Sequence, residues 1–577
     1  MKKIIVRQHA DTAAHQLPED LHPVLQRIYL ARNISSATQL DQGLARLLPP
    51  DALQGMPEAV DLLATAVQEG QRILIIGDFD ADGATSSALM VSALRRMGAQ
   101  QVDFLVPNRF EFGYGLTPEI VAVAARSSPD LIVTVDNGIS SIDGVAAAHR
   151  QGIRVLVTDH HLPGRELPAA DAIVNPNQPG DSFPSKNLAG VGVAFYLLMA
   201  LRGRLRDSGW FTRQNIAEPN LADYLDLVAL GTVADLVPLD DNNRVLVQQG
   251  LQRIRAGRCR PGIQALLNIA GRNSVRVVAS DFGFAVGPRL NAAGRIDDMA
   301  LGIECLLSED PAQARQLAER LDALNRERRE IEADMKQQAL AYVEEIQYGE
   351  DELPPGFCLF DPDWHQGVIG ILAARIKERY HRPVIAFARS GPNAIKGSAR
   401  SIPGLHIRDT LDAVAAQHPD ILQKFGGHAM AAGLSLDEDQ LPAFETAFLQ
   451  ELTQRLDPDL LTGVVESDGR LDSTDFSLEL SELLRSSGPW GQGFPEPVFD
   501  GDFTVVNQRI VGEHHLKLSV RPEGGTQVLD AIAFNQAADH SLRNGQQVHL
   551  AYRLDSNEYR GMLGLQLMVE VIEVIDR

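Results

Sequence analysis

The chain has 577 residues, a length that predicts about three or four domains rather than one compact unit. With 44% hydrophobic and 22% charged residues it has the composition of a folded globular protein, which excludes disordered, collagen-like and coiled-coil rod classes. The net charge of −23, from 53 basic and 76 acidic side chains, argues by itself against a nucleic-acid partner.

Membrane spans, export and cysteine chemistry are all disfavoured. No uncharged apolar stretch reaches the roughly 18 to 20 residues that cross a bilayer, and the apolar run near the N-terminus is too short for a signal peptide, so we expect a cytoplasmic protein. The cysteines Cys259, Cys305 and Cys358 stand far apart, which excludes a disulfide framework and a thiolate zinc site. We interpret them as packing residues.

Two basic islands interrupt the acidic average. Residues 251–300 carry eight arginines against three aspartates, and residues 375–410 carry eight basic residues against two acidic ones. Solvated surface is the ordinary interpretation of such runs. If the active site requires an anionic substrate, the better interpretation is that the two basic islands line the path of that substrate.

From about residue 60, short β-branched runs alternate with helical stretches, which is typical of a parallel α/β sheet. The β-branched runs are Ile73 to Ile76, Leu131 to Val135 and Ile153 to Thr158, and the helical stretches between them are Ala84 to Met97 and Ile142 to Arg150. A second α/β region runs from Gly356 to about Leu452, with a helix from Gly367 to Tyr380 and a strand from Pro383 to Phe387.

A long helix is predicted between these regions, because Asp310-Pro311 is a good helix start and apolar residues then repeat at three- and four-residue spacing up to Tyr342. After about residue 460 strand-like segments dominate. They are Pro497 to Asn507, Leu516 to Arg521, Thr526 to Phe534, Gln547 to Leu554 and Met562 to Val574. Five strands fit an oligonucleotide-binding (OB) barrel, and a small sandwich fits nearly as well.

Three apolar strands of the first region each end in residues that can bind metal. The first runs into Asp78-Phe79-Asp80-Ala81-Asp82-Gly83, the second into Asp136 and the third into Asp159-His160-His161. Since the C-terminal ends of parallel strands share one edge of a sheet, these side chains should converge. Asp235, in an otherwise apolar run, is a fourth candidate because an unpaired carboxylate there would be costly.

Divalent cations would resolve the repulsion within such a cluster, since neighbouring carboxylates otherwise take up protons. Oxygen-rich ligand sets with one or two imidazoles suit Mn²⁺ or Mg²⁺, and this number of ligands suits two ions. Two ions clamp the oxygens of a phosphoryl transition state, so hydrolysis of a phosphoester or phosphoanhydride is the predicted reaction. Each motif alone has an ordinary alternative, such as a calcium-type loop or a turn, but the ordered set makes independent accidents improbable.

The ordered set resembles the four motifs of the DHH phosphoesterase family, and Gly426-Gly427-His428 resembles the signature of that family's associated second domain. Three further stretches resemble the family's bacterial single-strand-specific exonucleases, so that the resemblance runs from about residue 25 to the end. They are Pro107-Asn108-Arg109 with Gly113-Tyr114-Gly115, Gly287 to Arg295, and Gly488 to Gly493. Many members begin the first motif with His, where this chain has Asp78.

The resemblance implies a role for each matched residue. The metal ligands are Asp78, Asp80, Asp82, Asp136, His160 and Asp235, and the catalytic residues are Asp159, His160 and His161, with Asp159 orienting its neighbours. Substrate-binding residues are Arg109, Tyr114, Arg289, Asn291, Arg295, Lys396, Arg400, Ser401, Gly426, Gly427 and His428. The planar guanidinium groups of the arginines can bind phosphate, and the ring of Tyr114 can stack on a base. The alternative for each of these residues is a surface, core or helix-packing role.

The resulting fold prediction has two parallel-sheet α/β domains joined by a long helix, and a C-terminal OB-like barrel. Its parts are an N-terminal extension (residues 1–49), the DHH catalytic domain (50–309), the connecting helix (310–350), the DHH-associated substrate-binding domain (351–457) and the OB-like domain (458–577). We expect the two α/β domains to face each other across a cleft that admits one strand.

The implied function is single-strand-specific 5′ to 3′ exonuclease activity with two Mn²⁺ or Mg²⁺ ions, release of 5′-mononucleotides, and a role in recombination and repair. Single-stranded DNA, a single-strand-binding protein and a helicase are the implied partners. One alternative is a phosphoesterase for very short oligonucleotides, cyclic dinucleotides or pyrophosphate, which would not need residues 460–577. The other is a catalytically silent scaffold, which the occupied ligand positions disfavour.

Overall fold

The computed structural model describes residues 3–8, 16–107, 115–349, 353–512, 514–537, 542–559 and 562–575. The α-helices are α1 (Pro23–Leu30), α2 (Ala37–Leu40), α3 (Met56–Gln68), α4 (Ala81–Arg96), α5 (Pro118–Ala124), α6 (Ile142–Arg150), α7 (Gly190–Asp207), α8 (Trp210–Gln214), α9 (Leu225–Ala234), α10 (Asp241–Arg255), α11 (Pro261–Ile269), α12 (Ala279–Asp281), α13 (Gly287–Ile296), α14 (Ala300–Leu307), α15 (Pro311–Gly349), α16 (Ile369–Tyr380), α17 (Ile407–Gln417), α18 (Leu441–Arg455) and α19 (Leu478–Ser486).

The strands are β1 (Lys3–Val6), β2 (Arg72–Gly77), β3 (Gln101–Leu105), β4 (Leu131–Val135), β5 (Arg154–Thr158), β6 (Ala172–Val174), β7 (Phe357–Phe360), β8 (Val384–Arg389), β9 (Ala394–Arg400), β10 (Lys424–Gly427), β11 (Ala431–Asp437), β12 (Val464–Ser467), β13 (Phe499–Val511), β14 (His515–Pro522), β15 (Leu529–Ala533), β16 (Gln547–Tyr559) and β17 (Met562–Val574). The chain forms two compact units. One comprises Met1–Ile5 and Arg326–Glu466, and the other comprises Val6–Asn325 and Ser467–Arg577.

The larger unit contains a five-stranded sheet with the order β3-β2-β4-β5-β6, in which every pair of neighbours is parallel. All five residues of β4 are buried, as expected for a parallel strand covered on both faces. The predicted parallel α/β sheet is confirmed here. Its C-terminal edge carries the residues that follow β2, β4 and β5.

The same unit contains the closed barrel β13-β14-β15-β17-β16, in which the β15–β17 pair is parallel and the other pairs are antiparallel. This strand order confirms the OB-like barrel and excludes the sandwich. The N-terminal extension also packs on the segment before the barrel: Arg32 donates to both carboxylate oxygens of Asp468 at 2.7 and 3.0 Å, and the Tyr29 hydroxyl donates to the Ser487 carbonyl at 2.8 Å.

The smaller unit contains a sheet with the order β10-β11-β9-β8-β7. Its β7–β8 pair is parallel as expected, since α16 provides the crossover, but the β8–β9, β9–β11 and β10–β11 pairs are antiparallel. The short turns that join β8 to β9 and β10 to β11 are long enough only for antiparallel neighbours. This α/β sheet is therefore mixed.

Helix α15 runs without interruption for 39 residues, roughly 58 Å, and confirms the predicted connecting helix. The five domain boundaries proposed from the sequence stay a prediction. The three cysteines are free, and Cys305 and Cys358 are buried, in agreement with their interpretation as packing residues. Among the described helices, none combines the length and the apolarity that a bilayer crossing requires.

A histidine between two carboxylates makes the stability of the barrel pH-dependent. His549 Nδ1 lies 2.5 Å from Asp502 Oδ1, and Nε2 lies 3.4 Å from Asp500 Oδ2. The hydrogen bond to Asp500, together with that to Asp502 and both charges, raises the pKa of His549 above its usual 6.5 despite partial burial. The stabilisation is therefore complete below about pH 6.5 and is lost as the pH rises through the raised pKa.

We expect His549→Gln to lower the free energy of unfolding by roughly 1 kcal/mol near pH 6, since two charged hydrogen bonds are lost and solvent screens part of their effect. The difference from the parent protein should shrink as the pH rises towards 9. Denaturant unfolding of both proteins across this range measures it, with the exposed His418→Gln as the control. A difference independent of pH would contradict the assignment of the charge to His549.

Candidate metal centre

The first group of carboxylates lies on the turn between β2 and α4. Asp80 caps α4, and its Oδ1 accepts the backbone N–H groups of Asp82 at 2.9 Å and Gly83 at 3.0 Å. A side chain at Gly83 would place its Cβ 2.4 Å from the Asp78 carbonyl oxygen, so this turn requires glycine. The tight turn brings Asp78, Asp80 and Asp82 to one edge of the sheet.

Asp82 is held from a distant part of the chain. Its two carboxylate oxygens accept the backbone N–H groups of Gly190 at 2.6 Å and Val191 at 2.9 Å, at the N-terminus of α7. The positive end of this helix favours the ionised carboxylate. A Cβ at Gly190 would lie 2.6 Å from that of Asp136, so the same glycine allows α7 to approach both acids.

Asp136 follows β4 in the left-handed conformation, with φ of 62°. The carboxamide of Asn137 donates to the carbonyl oxygens of Ile76 at 3.1 Å and Val135 at 2.9 Å, and so ties the ends of β2 and β4 together. The turn after β4 is thereby fixed by hydrogen bonds and by close packing. It directs the Asp136 side chain towards the other acids.

Asp159 organises the turn after β5. Its Oδ1 accepts the backbone N–H groups of His160 at 2.7 Å and His161 at 3.1 Å and lies 2.8 Å from His161 Nδ1, while its Oδ2 accepts the N–H of Ile139 at 2.9 Å. With Nδ1 bonded to Asp159, Nε2 is the ring atom of His161 suited to a ligand. Asp159 therefore holds the backbone of both histidines and the ring of His161.

Three groups of donor atoms converge at this edge, and within each group the atoms lie within 4.8 Å of one another. They are Asp78, Asp80 and Asp136; Asp82, His160 and Asp235; and Asp136, His160 and His161. His160 Nε2 lies 3.1 Å from Asp136 Oδ1 and 3.4 Å from Asp235 Oδ2. Every metal ligand predicted from the sequence is thus in the cluster, and Asp159 stands beside it.

The electrostatics of the cluster favour cations. Burial and the charge of Asp80 raise the pKa of Asp82 to about 7, although two N–H groups bind it. Burial and the neighbouring carboxylates also raise the pKa of Asp136 and of Asp235 well above the usual value. Burial disfavours a charged His161, but Asp159 and the other acids outweigh it and raise its pKa to about 9.

Divalent metal fits this donor set. Five carboxylates and two imidazoles lie close enough to share ions. Without cations, the ionised carboxylates repel one another. Oxygen-rich sites with a few imidazoles suit Mn²⁺ and Mg²⁺. The members of the donor set that could hold the ions are Asp78, Asp80, Asp82, Asp136, His160, His161 and Asp235.

The predicted substrate residues of the same unit have several environments. Arg109 and Tyr114 lie outside the described residues. Arg289 donates from Nε to Asp322 Oδ1 at 2.9 Å and from Nη1 to the Ala285 carbonyl at 2.6 Å. Asn291 Oδ1 accepts the Ala81 N–H at 2.7 Å and so supports the first acidic turn. Arg295 lies on the same helix, α13.

In the smaller unit, Arg400 is the side chain with an unusual environment. Its Nη1 donates to Ser398 Oγ at 3.0 Å and to the Ala399 carbonyl at 2.8 Å, and its Nη2 would lie 2.8 Å from a Cβ at Gly370, near the start of α16. Burial lowers the pKa of Arg400, and no carboxylate of the described chain forms an ion pair with it. Such a guanidinium is well suited to an anion.

Among the other predicted residues of this unit, some have local structural roles and others are exposed to solvent. Lys396 is exposed on β9, whereas Ser401 is buried and donates to the Leu405 carbonyl at 2.7 Å. Gly427 has φ of 140°, and a Cβ there would lie 2.4 Å from the Ala431 carbonyl oxygen, so the turn from Gly426 to His428 needs glycine for its backbone. The roles of these residues in substrate binding stay a prediction.

Several supporting residues could not be identified from the sequence. Asn175 and Asn177 donate to the carbonyl oxygens of His161 at 3.0 Å and His160 at 2.6 Å, and Gly190 and Val191 bind Asp82. Asparagines in a turn-rich segment carry no signal that distinguishes this use, and backbone donors have no residue signature. The glycines Gly190 and Gly192 are the sequence signal that could have indicated a close approach of α7 to the acidic residues.

Three family models match the chain: the DHH family, N-terminal domain, over residues 72–232; the DHHA1 domain over residues 353–454; and the RecJ OB domain over residues 467–571. The single-stranded-DNA-specific exonuclease RecJ of Dickeya dadantii (strain 3937) is 57% identical over 563 residues, with 97% of each chain covered.

Solved structures of RecJ from Thermus thermophilus are also similar. The structure in complex with Mn²⁺ has 30% identity and a TM-score of 0.79, and the one in complex with Mg²⁺ has 28% identity and a TM-score of 0.74. Each match covers 100% of this chain, and 80% and 78% of the respective Thermus chains. The chain therefore belongs to the DHH family, in the RecJ group of that family.

Proposed function

We propose that this chain is a single-stranded-DNA-specific exonuclease that degrades strands from the 5′ end, releases 5′-mononucleotides and acts in recombination and repair. The observation that carries the proposal is the convergence of five carboxylates and two imidazoles at one sheet edge, in a chain 57% identical to a protein named for this activity. The polarity rests on the family resemblance.

In this mechanism Asp80, Asp82, Asp136, His160 and Asp235 would hold two divalent cations, and Asp78 and His161 would complete the site or contact the scissile phosphate. The chemistry supplied by such ions would be Lewis-acid stabilisation of the phosphoryl oxygens and a lower pKa of the attacking water. Asp159 keeps both histidines in place through its bonds to their backbone and to the His161 ring. Asn137, Gly190 and Val191 hold the acids in position.

The phosphate-binding role is assigned to arginines of both units. Arg400 supports this role because it is mostly buried without an ion-pair partner among the described residues. Arg289 and Arg295 lie on the helix that supports the first acidic turn through Asn291, and Arg109 and Tyr114 complete the predicted set. The basic islands are thus interpreted as parts of the path of the strand rather than as solvated surface alone.

The barrel is proposed to bind a part of the strand that lies at a distance from the metal centre. Leu516 and Ala533 face the core of the barrel, so that their neighbours in sequence point outwards from β14 and β15. Lys517 lies opposite Arg509 in the register of β13 and β14 and forms an ion pair with Asp530 of β15 at 3.0 Å, and the His515 and Phe534 rings are in contact, with centroids 5.0 Å apart. These two strands form the usual nucleic-acid face of an OB barrel.

The barrel argues against a phosphoesterase for very short substrates. A single-strand-binding protein and a helicase are further proposed partners, since they supply the unpaired strands that this activity consumes. The cytoplasm, where the chromosome lies in bacteria, is the proposed location.

Digestion of end-labelled DNA tests the function. We expect 5′-labelled single strands to release labelled mononucleotide from the first time points, 3′-labelled strands to shorten progressively, and duplexes to persist, all with Mn²⁺ or Mg²⁺ and none with a chelator. Equal digestion of blunt duplexes, or cleavage confined to dinucleotides or pyrophosphate, would overturn the proposal.

A second prediction separates capture from cleavage. Phe534→Ala should weaken binding of long single strands about tenfold, because one stacked base contributes roughly 1 to 3 kcal/mol, and it should leave the cleavage of short oligonucleotides unchanged. Fluorescence anisotropy and a length series of substrates measure the two effects. Val574→Ala, at another exposed position of the barrel, is the matched control. Equal losses on short and long strands would contradict the guiding role.

A further inference from the structure

The side chain of Phe284 is 82% exposed, whereas those of Phe282 and Val286 are fully buried. The three residues belong to one π-helical turn, Phe282–Val286, which leads directly into α13. Single π-helical turns are rare and occur frequently at functional sites. This turn places one phenylalanine in the core and presents the next one to solvent.

The turn lies against the helix end that carries a metal ligand. A Cβ at Gly283 would be 3.8 Å from Val233 Cγ1, and one at Gly287 would be 3.2 Å from Ala234 Cβ. Val233 and Ala234 directly precede Asp235, whose Oδ2 lies 3.4 Å from His160 Nε2. Phe284 therefore projects from a segment in contact with one border of the metal centre.

The same segment then reaches the other border. Asn291 Oδ1 accepts the Ala81 N–H at 2.7 Å, and Gly294 packs so closely on Phe79 that a Cβ would lie 1.7 Å from its carbonyl oxygen. Residues 282–294 thus extend from Asp235 to the turn that carries Asp80. We therefore expect a strand whose scissile phosphate is at the metals to pass close to this segment.

A second exposed apolar side chain stands at the same border. Leu236 follows Asp235 directly, is 67% exposed and adopts the left-handed conformation with φ of 62°, which is unfavourable for leucine. Leu236 is therefore exposed directly after Asp235, and Phe284 is exposed on the turn that packs against Val233 and Ala234. In a strongly acidic protein, apolar side chains can contact the bases of a strand, and such contacts do not depend on attraction between the protein and the phosphates.

We infer that Phe284 is a base-stacking residue that positions the single strand next to the scissile phosphate; this rests on the proposed function. An unpaired base offers a face that an aromatic ring can cover, whatever its sequence. In a duplex the same base is stacked and paired, so that contact with Phe284 would require its disruption. The contact contributes to the discrimination between single and double strands.

The test compares three substitutions at this position on a single-stranded oligonucleotide. Phe284→Ala should raise KM about tenfold with kcat nearly unchanged, Phe284→Trp should restore the parent KM, and Phe284→Leu should not, because leucine is apolar but has no aromatic face. The melting temperature should be the same in all, since the side chain is exposed. Val275→Ala, at a 65% exposed position of the same unit, is the control and should have no effect.

A scan with one abasic nucleotide at successive positions locates the contact. At one position near the 5′ end, the abasic strand should raise the KM of the parent enzyme and remove its difference from Phe284→Ala. An unchanged KM in Phe284→Ala, full restoration by Phe284→Leu, or a difference that persists with every abasic strand would each overturn the inference. Digestion of the unmodified strand by the parent enzyme shows separately whether the proposed function holds.

Discussion

Asp136→Asn and His160→Ala are each expected to reduce hydrolysis of single strands by roughly 10³-fold or more at saturating Mn²⁺. Both residues belong to two of the three donor groups, so we expect each substitution to weaken the binding of more than one ion. The ions contribute several kcal/mol of transition-state stabilisation, and each 1.4 kcal/mol corresponds to a factor of ten in rate. Initial rates of nucleotide release over a Mn²⁺ titration measure the effect.

Stability separates loss of a ligand from loss of the fold. Because the pKa of Asp136 is raised well above its usual value of 3.8 by burial and by its acidic neighbours, the ionised side chain destabilises the metal-free protein. This penalty is absent below about pH 4 and grows as the pH rises towards the raised pKa. Metal-free Asp136→Asn should therefore unfold at a higher temperature than the parent protein at pH 8, with no such advantage near pH 4.

Asp103→Asn is the matched control for this experiment, because its carboxylate is 79% exposed in the same unit. It should retain normal turnover and the stabilisation by Mn²⁺, which Asp136→Asn should largely lose. Near-normal turnover of either ligand variant at saturating metal would refute the assignment of that residue. A metal-free Asp136→Asn protein that is less stable at pH 8 would refute the electrostatic account.

The convergence of the acidic motifs could be predicted from the sequence because each one directly follows a strand of strongly apolar residues. Parallel pairing of β2, β4 and β5 brings Asp78, Asp136 and Asp159 to one edge whatever the details of the loops. Asp235 was recognisable as a carboxylate in an apolar run. It follows the end of α9, where the chain leaves the helix beside His160.

The supporting contacts depend on long-range packing and were not visible in the sequence. Asp82 is bound by backbone N–H groups more than 100 positions away, for which no side chain gives a signal. Phe282 and Phe284 are equivalent in a sequence pattern, and the π-helical turn alone decides which one is exposed. The mixed sheet of the smaller unit results from two short turns, whereas its apolar runs suggest parallel strands.

Side-chain environments also separate arginines that are equivalent in the sequence. Arg289 and Arg400 were both predicted to bind phosphate, but Arg289 forms an ion pair with Asp322, whereas Arg400 is mostly buried with hydroxyl and carbonyl partners. A phosphate that binds Arg289 competes with a carboxylate already in place. Arg400 carries no such competitor among the described residues, so its substitution should have the larger effect on binding.

Arg400→Ala is accordingly expected to weaken binding of single strands by roughly 10- to 100-fold, since a hydrogen bond to a charged group contributes about 1.5 to 3 kcal/mol. Loss of one phosphate contact should also flatten the dependence of log K on log salt by about 0.7. Binding titrations at four or five salt concentrations measure both quantities in one series. Arg389→Ala, which removes an exposed arginine paired with Glu438, is the matched control.

The metal-free, DNA-free protein provides the decisive comparison for Arg400. Burial lowers the pKa of this guanidinium, so the fold is destabilised by its charge, and removal of the side chain should leave the melting temperature unchanged or higher. A purely structural role predicts the opposite, namely a lower melting temperature with the salt dependence of binding intact. Arg400→Lys keeps the charge without the planar fork, and we expect it to recover the salt slope but only part of the affinity.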